Sequence, residues 1–474
     1  MTLSGHSAAP SRLSSIVGGL AQTAVSTFTG NQGLNIIEPL IFEQDRPGTC
    51  AVRVPSFTSA STPKLGHHAR SSPIGLPSLS EPTVMRHYVR LSRKNYSIDD
   101  NMLPSSNPRI NEQIARLPGF ADIHPYQPES TVKGAKEALA ELGGFLLEIT
   151  GMSGVTLAPK AGAHGEHTGL MAIRAAHIKS GQDQQRRVCL CLDSAHGTNP
   201  ATSAQVGYKV VTVKSLADGS IDMNDLKSKL NEEVACIMIT NPSTIGLFET
   251  NFKEVSDLVH KAGGYVYMDG ANLNAILGRV RPADLGVDAM HFNLHKTMST
   301  PHGGGGQGSG PVVFSPVLTP FMPCPAVVRQ SDLDPELSRT LPSAKIDGIR
   351  YCTLDNHHVP ESIGEIGGFH GNFGICMRAL GWLKAMGREG LSKASGDAVL
   401  NARYLFHHLK DTLSAPYREQ PCMHEALFDD TWLKGTGVST MDVAKTLIDE
   451  GFHPPTVYFP MVVSGAMLVE PTGN

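Results

Sequence analysis

The chain has 474 residues, 40% of them hydrophobic, and a formal net charge of −4. That length suits two or three domains with a sizeable core, and the composition excludes disordered and fibrous classes. The small charge and the lack of any Lys/Arg run exclude an electrostatic grip on nucleic acid, and no apolar stretch reaches the roughly eighteen residues that span a bilayer; a soluble protein of metabolite chemistry is expected.

The first 37 residues contain no acid, many Ser and Thr, and a single arginine, Arg12. Organelle-targeting segments are Arg-rich, so residues 1–33 are read as a disordered leader. Residues 34–130 read as an N-terminal arm and linker. GLNIIEPLIFEQDRPGTCAVRVP has the apolar content of an ordered arm suited to packing on a partner or neighbour, and residues 56–81 form a Ser-, Pro-, His- and Gly-rich linker. Helical spacing then begins at EPTVMRHYVRLSRKNYSID and becomes a several-turn amphipathic helix in TVKGAKEALAELGGFLLEITG.

Residues 131–320 are expected to form a large cofactor-binding α/β domain. Its strand candidates are VCLCLD, YKVVTV, VACIMIT and YVYMD, separated by the helical stretches NPATSAQVG, NDLKSKLNEE and NFKEVSDLVHKAG. Short apolar strands alternating with helices predict right-handed βαβ units and a mostly parallel central sheet with helices on both faces. Residues 321–474 open with a Pro-rich passage and a long helix around GNFGICMRALGWLKAMG, and are read as a smaller C-terminal α+β domain. Eight cysteines are scattered, and the close pair Cys189 and Cys191 falls inside a strand rather than a metal or redox motif, which suits a reducing cytoplasm.

The strongest chemical signal is HFNLHKTMSTPHGGGGQGSGPVVF. Lys296 is expected to be a buried amine beside apolar residues, with its charged form disfavoured and its nucleophilicity raised for Schiff-base formation. The glycines that follow let backbone approach a ligand closely. Asp269 ends YVYMD, where a carboxylate can pair with a pyridinium nitrogen. His196 follows VCLCLD and can stack on a flat ring, with Gly197, Thr198 and Asn199 as polar neighbours. Gly162, Ala163, His164 and Gly165 make a small-residue turn into a helix, whose free backbone N–H groups bind phosphate. Thr240, Asn241 and Ser243 follow VACIMIT and reach the same rim. Each feature has a plainer alternative: a surface turn for the lysine loop, a helix cap for Asp269, a solvated ring for His196. Their order argues for the set: turn, strand-end His, strand-end Asp, then a Lys 27 residues on is the order of fold-type I pyridoxal-phosphate enzymes.

The wording carries this further. DSAHGTNPATSA, TNPSTIGLFE, DGANLNAILGRVRPADLG, HFNLHKTMSTPHGGGGQGSGPV, GNFG, PCMHE and GFHPPTVYFP closely resemble the glycine decarboxylase P-protein family, in particular subunit 2 of the two-chain bacterial and archaeal form. The resemblance implies a fold-type I transferase with pyridoxal 5'-phosphate held by Lys296, Asp269 on the pyridine nitrogen and His196 on the ring. It also implies the substrate glycine, a partner subunit 1 in a heterotetramer with two copies of each chain, a lipoyl-bearing H-protein, and a prokaryotic cytoplasm. His295 and His302 flank the lysine as candidate proton shuttles or loop-fixing residues. Three departures stand out. NMLPSSNP replaces a longer family segment resembling YPLGSCTMKYNP, the stretch after PCMHE is short, and the chain stops at EPTGN where the family continues. The deletion near Pro104 motivates one alternative, a catalytically impaired homologue serving as an assembly partner; a separate alternative is another fold-type I amino-acid decarboxylase or aldolase.

Overall fold

The computed structural model describes residues 37–52, 55, 66–72, 74–95, 108–300, 308–341 and 350–471. The expected leader, residues 56–65 and 73 of the linker, the NMLPSSN stretch and His302 lie outside the described residues.

The chain divides into two compact units, the first made of residues 1–96 and 445–454. In it the helix Glu81–Ser92 is tied to the apolar arm by charge. Arg90 Nε and Nη2 each donate to one oxygen of Glu38 at 2.7 Å, and His87 Nδ1 lies 3.1 Å from the same carboxylate. Such a bidentate pair fixes orientation better than a single contact does.

The second unit, residues 97–444 and 455–474, is built on a seven-stranded sheet. Its strands are β1 (Gly154–Thr156), β2 (Val188–Leu192), β3 (Lys209–Val213), β4 (Val234–Thr240), β5 (Tyr265–Asp269), β6 (Ala289–His291) and β7 (Val312–Phe314), in the order β1-β7-β6-β5-β4-β2-β3. Strands β3, β2, β4, β5 and β6 run parallel, and β7 runs against both of its neighbours. The four strands expected from the sequence are the long ones; β1, β6 and β7 have three residues each and carry too little pattern to be read.

Both faces of the sheet are buried, as the unbroken apolar strands require. Leu190, Ile237, Val266 and Met268 point into one core with Leu142 and Leu146 of the helix Lys133–Thr150. Cys189, Cys191, Cys236, Met238 and Tyr267 point into the other with Leu170 and Ile173 of the helix Gly162–Lys179. The alternation follows the two-residue period of a strand. Each fully buried Leu or Ile contributes about 1.5–3 kcal/mol relative to exposure. Cys189 and Cys191 are free thiols serving as core side chains.

Packing continues past Pro320. The antiparallel pair β8 (Ala326–Arg329) and β9 (Tyr351–Leu354) adds Val327 and Tyr351 to the first core and Val328 and Cys352 to the second. The helical segment Phe373–Leu409 packs Ile375, Ala379, Trp382 and Leu383 into the first core and is broken at Gly387, whose φ is 59°. A separate three-stranded antiparallel sheet follows, in the order β10 (Ala426–Phe428), β12 (Met467–Val469), β11 (Thr456–Val457). Its Leu427 and Leu468 close on Ile245, in the loop after β4. This brings C-terminal residues to the rim of the large sheet. Among the described residues no helix is long and apolar enough to cross a membrane.

Candidate active site

Ligands of open parallel sheets gather outside the carboxyl ends of the strands. At that edge Asp269, the last residue of β5, is the register partner of His291, the last residue of β6, so their side chains share one face. Both are almost fully buried. Asp269 accepts from Asn199 Nδ2 at 2.9 Å and from the backbone N–H of Ala271 at 3.0 Å, and its Oδ1 lies 3.5 Å from His291 Nε2. Burial pushes its carboxyl up, but the charge of His291, the two hydrogen bonds and the charge of Lys296 outweigh this and hold it below the usual carboxylate range. It is therefore an ionised carboxylate inside the protein. His291 Nδ1 meets the Tyr267 hydroxyl at 2.7 Å, and burial holds the imidazole below its ordinary value.

Lys296 lies in the connection between β6 and β7 and is exposed, in contrast to the buried amine expected from its apolar neighbours. Phe292, Leu294 and Met298 take the core positions. The charge of Lys296 is nevertheless felt by Asp269, His291, His424 and Glu425, which places it among them. His295 Nδ1 accepts from the backbone N–H of Ser309 at 3.1 Å, and a Cβ at Gly308 would meet the ring at 2.8 Å. The ring thus packs against the backbone at Gly308 and Ser309.

Gly162, Ala163 and His164 form the first turn of the helix Gly162–Lys179, whose N-cap, Ala161, offers no side-chain cap. The leading N–H groups thus keep their affinity for an anion. The turn is pressed against the glycine loop: a Cβ at Gly310 would lie 2.2 Å from the carbonyl oxygen of Ala161. Asn372, from GNFG, binds both sides of the junction, donating to Gly308 O at 2.6 Å and to Lys160 O at 3.3 Å. Lys160 in turn donates to Gly368 O at 2.8 Å.

His196 is exposed in the loop after β2, at the start of the helix Thr198–Val206, with its ring 5.3 Å from that of Phe459. Its Nδ1 lies 2.8 Å from Thr198 Oγ1 and accepts the Thr198 backbone N–H at 3.2 Å. Thr198 Oγ1 lies 2.6 Å from Oε1 of Glu166, a buried acid on the helix Gly162–Lys179. Glu166, Asp269 and His291 bring one polar atom each within 4.8 Å of one another. Asn241 Oδ1 accepts from Glu249 N at 3.0 Å and so serves the turn after β4, as does Ser243, whose Oγ accepts from Leu247 N at 3.3 Å. Asn241 Nδ2 and Thr240 Oγ1 are buried without a partner among the described residues.

Sequence reasoning passed over Glu166, His291 and a second acidic group. Glu470 Oε1 accepts from Asn272 at 3.0 Å and from Asn274 at 2.9 Å, tying the C-terminal strand to DGANLNA. Burial and the charge of Glu470 push Glu425, of PCMHE, up to about 8 against the pull of Lys296. A visible clue to Glu166 was an acid in line with Gly169, Leu170 and Ile173 on a buried helical stripe. For His291 the clue was the His ending a strand one position before FNLHK.

These residues fit pyridoxal phosphate: a buried ionised carboxylate for a ring N–H, an uncapped helix start in a cradle that a Cβ would fill for the phosphate, and an amine at the rim for the aldehyde. A family model described as "Glycine dehydrogenase, C-terminal domain" matches residues 394–474, and one described as "Aminotransferase class-V" matches residues 171–306. A protein of Caulobacter vibrioides named probable glycine dehydrogenase (decarboxylating) subunit 2 is 53% identical over 94% of this chain and 83% of its own length. Its namesake from Listeria innocua is 46% identical over 92% of this chain and 87% of its own. The solved structure of an inhibitor-bound glycine decarboxylase (P-protein) shares the fold, with a TM-score of 0.67 at 20% identity, covering 87% of this chain and 89% of that one.

Proposed function

The chain belongs to the glycine dehydrogenase (decarboxylating) subunit 2 family, and on that footing we propose that the rim around Asp269 and Lys296 is where glycine is decarboxylated with pyridoxal phosphate. The observation that carries this reading is the buried carboxylate of Asp269 at the end of β5, which accepts from Asn199 and Ala271 beside His291. When bound, the cofactor supplies an electron sink for the bond broken at Cα. Asp269 would pair with the ring nitrogen and keep it protonated, Lys296 would hold the aldehyde end of the cofactor, and His196 would lie against the ring. The first turn at Gly162, Ala163 and His164 takes the phosphate. Thr240 and Asn241 line the same rim. His295 holds the loop that carries Lys296, and His302 stands as a second proton-handling candidate in that loop.

In the net reaction the Cα–CO2 bond of glycine breaks and CO2 leaves. The electron pair left on carbon forms a C–S bond to one sulfur of a lipoyl disulfide, the S–S bond breaks, and the second sulfur takes a proton. The lipoyl group arrives on H-protein. Relatives named as a second subunit imply a first, and this chain would assemble with it as a heterotetramer in the cytoplasm. Exchange of labelled bicarbonate into glycine, measured with subunit 1, lipoylated H-protein and pyridoxal phosphate present, tests this. Exchange is expected; a cofactor-loaded protein that gives none would instead be an impaired homologue acting in assembly.

A further inference from the structure

We propose that Glu166 works as a protonated positioning residue, setting through Thr198 which nitrogen of His196 carries the proton. The inference deepens the reading above and rests on it for the meaning of His196, but its geometric basis is independent.

Counting hydrogens carries it. Thr198 N–H donates to His196 Nδ1 at 3.2 Å, so Nδ1 offers a lone pair there. The 2.8 Å contact between that nitrogen and Thr198 Oγ1 then needs the hydroxyl hydrogen to point at the ring. A hydroxyl has one hydrogen. The 2.6 Å contact between Thr198 Oγ1 and Glu166 Oε1 is left without one unless the acid supplies it. A neutral Glu166 completes the chain: its O–H donates to Thr198, Thr198 O–H donates to Nδ1, and the His196 proton sits on Nε2.

The surroundings favour that state. Glu166 is 3% exposed and shares a 4.8 Å cluster with the ionised Asp269, so a second charge there would be buried beside a like one. Burial and the Asp269 charge push Glu166 up to about 7 against the Thr198 hydrogen bond. The titratable groups facing it are Asp269 and Tyr267 from β5, His291 from β6, Cys191 from β2 and, through Thr198, His196. When Glu166 ionises, the carboxylate takes the Thr198 hydrogen and Nδ1 loses a donor. Glu166 thus couples the proton inventory of the buried Glu166, Asp269 and His291 cluster to the tautomer of His196.

The test uses the full-length protein with ¹⁵N-labelled histidine, the His196 signals being assigned by His196→Gln, with and without pyridoxal phosphate. Glu166→Gln replaces the acid by an amide that always donates. At about pH 8.5, where free imidazoles are neutral, this variant should favour the Nε2–H form of His196 about fivefold more than the wild type, the weight of one hydrogen bond. Thr198→Val should give the weak preference at every pH. Equal tautomer ratios in wild type and Glu166→Gln, or a Thr198→Val protein that keeps the wild-type pH response, would overturn the proposal. If Glu166→Gln fails to fold, Thr198→Val decides alone. The cofactor-free readout separates this from the functional reading: a tautomer shift without bicarbonate exchange sinks only the latter.

Discussion

Asn111 Nδ2 donates to the backbone carbonyl of Ser299 at 3.1 Å, joining the helix Pro108–Ala115 to the loop three residues beyond Lys296. Asn111 is 1% exposed, and Ser299 sits at a φ of 52°, a backbone conformation that needs support. The helix Pro108–Ala115 therefore helps to hold the lysine loop. Asn111→Ala removes this buried hydrogen bond, and a loss of about 1–3 kcal/mol in thermal or urea unfolding is expected, together with weaker retention of pyridoxal phosphate on dialysis. Unchanged stability and retention would show that the loop is held by other contacts.

Lys296→Ala should abolish the Schiff-base absorbance at about 420 nm and lower glycine–bicarbonate exchange by at least about a thousandfold. The lysine is exposed at the rim, so the melting temperature should stay close to wild type. A persistent band in the variant would move the attachment point elsewhere.

Asp269→Asn keeps the volume and the Asn199 contact but removes the charge that keeps a ring nitrogen protonated. A fall of about a hundredfold or more in exchange is expected with the cofactor still bound, since electrostatic preorganisation is lost while shape is kept. Wild-type turnover in this variant would refute the pairing.

Gly310→Ala places a methyl group 2.2 Å from the backbone oxygen of Ala161, so backbone must shift to accept it. About 1–3 kcal/mol of destabilisation is expected from overpacking, with weakened binding of pyridoxal phosphate in a fluorescence titration. Gly181→Ala is a poor control because that glycine has a positive φ, whereas Gly119→Ala, with open space around it, should do neither.

Glu166 also makes a stability prediction. Its folded value of about 7 lies above the ordinary 4.5, so the native state binds the proton more tightly than the unfolded chain does. This contribution is fully present below about pH 4.5 and is lost as pH rises through about 7. Glu166→Gln removes the loss, so relative to wild type it should gain on the order of 2 kcal/mol between about pH 5 and about pH 8. A stability difference independent of pH would mean that Glu166 is ionised throughout.

How much was legible in the sequence depended on the length of the signal. VCLCLD, YKVVTV, VACIMIT and YVYMD each hold enough apolar residues for a strand to be read, and Asp269 and Lys296 stand in long, specific motifs. Strand β6 has three residues, so His291 was not seen to end a strand, and its pairing with Asp269 could not be inferred. Lys296 was expected to be buried from its neighbours' apolarity, but an apolar run in a turn buries only the side that faces the core.

The sequence alone thus determined the alternating α/β order, the buried strands and the chain order of the phosphate turn, His196, Asp269 and Lys296, because these depend on local periodicity and strand ends. Tertiary structure decided the charges and the supports. Asp269 is held below the usual carboxylate range by His291 and by Asn199, the latter 70 residues away in the chain, and Glu166 reaches Thr198 across 32 residues. The Lys296 loop is supported by Asn111 across 188 residues. Proton affinity and loop geometry depend on which groups share a buried volume, and only the folded chain brings them into one.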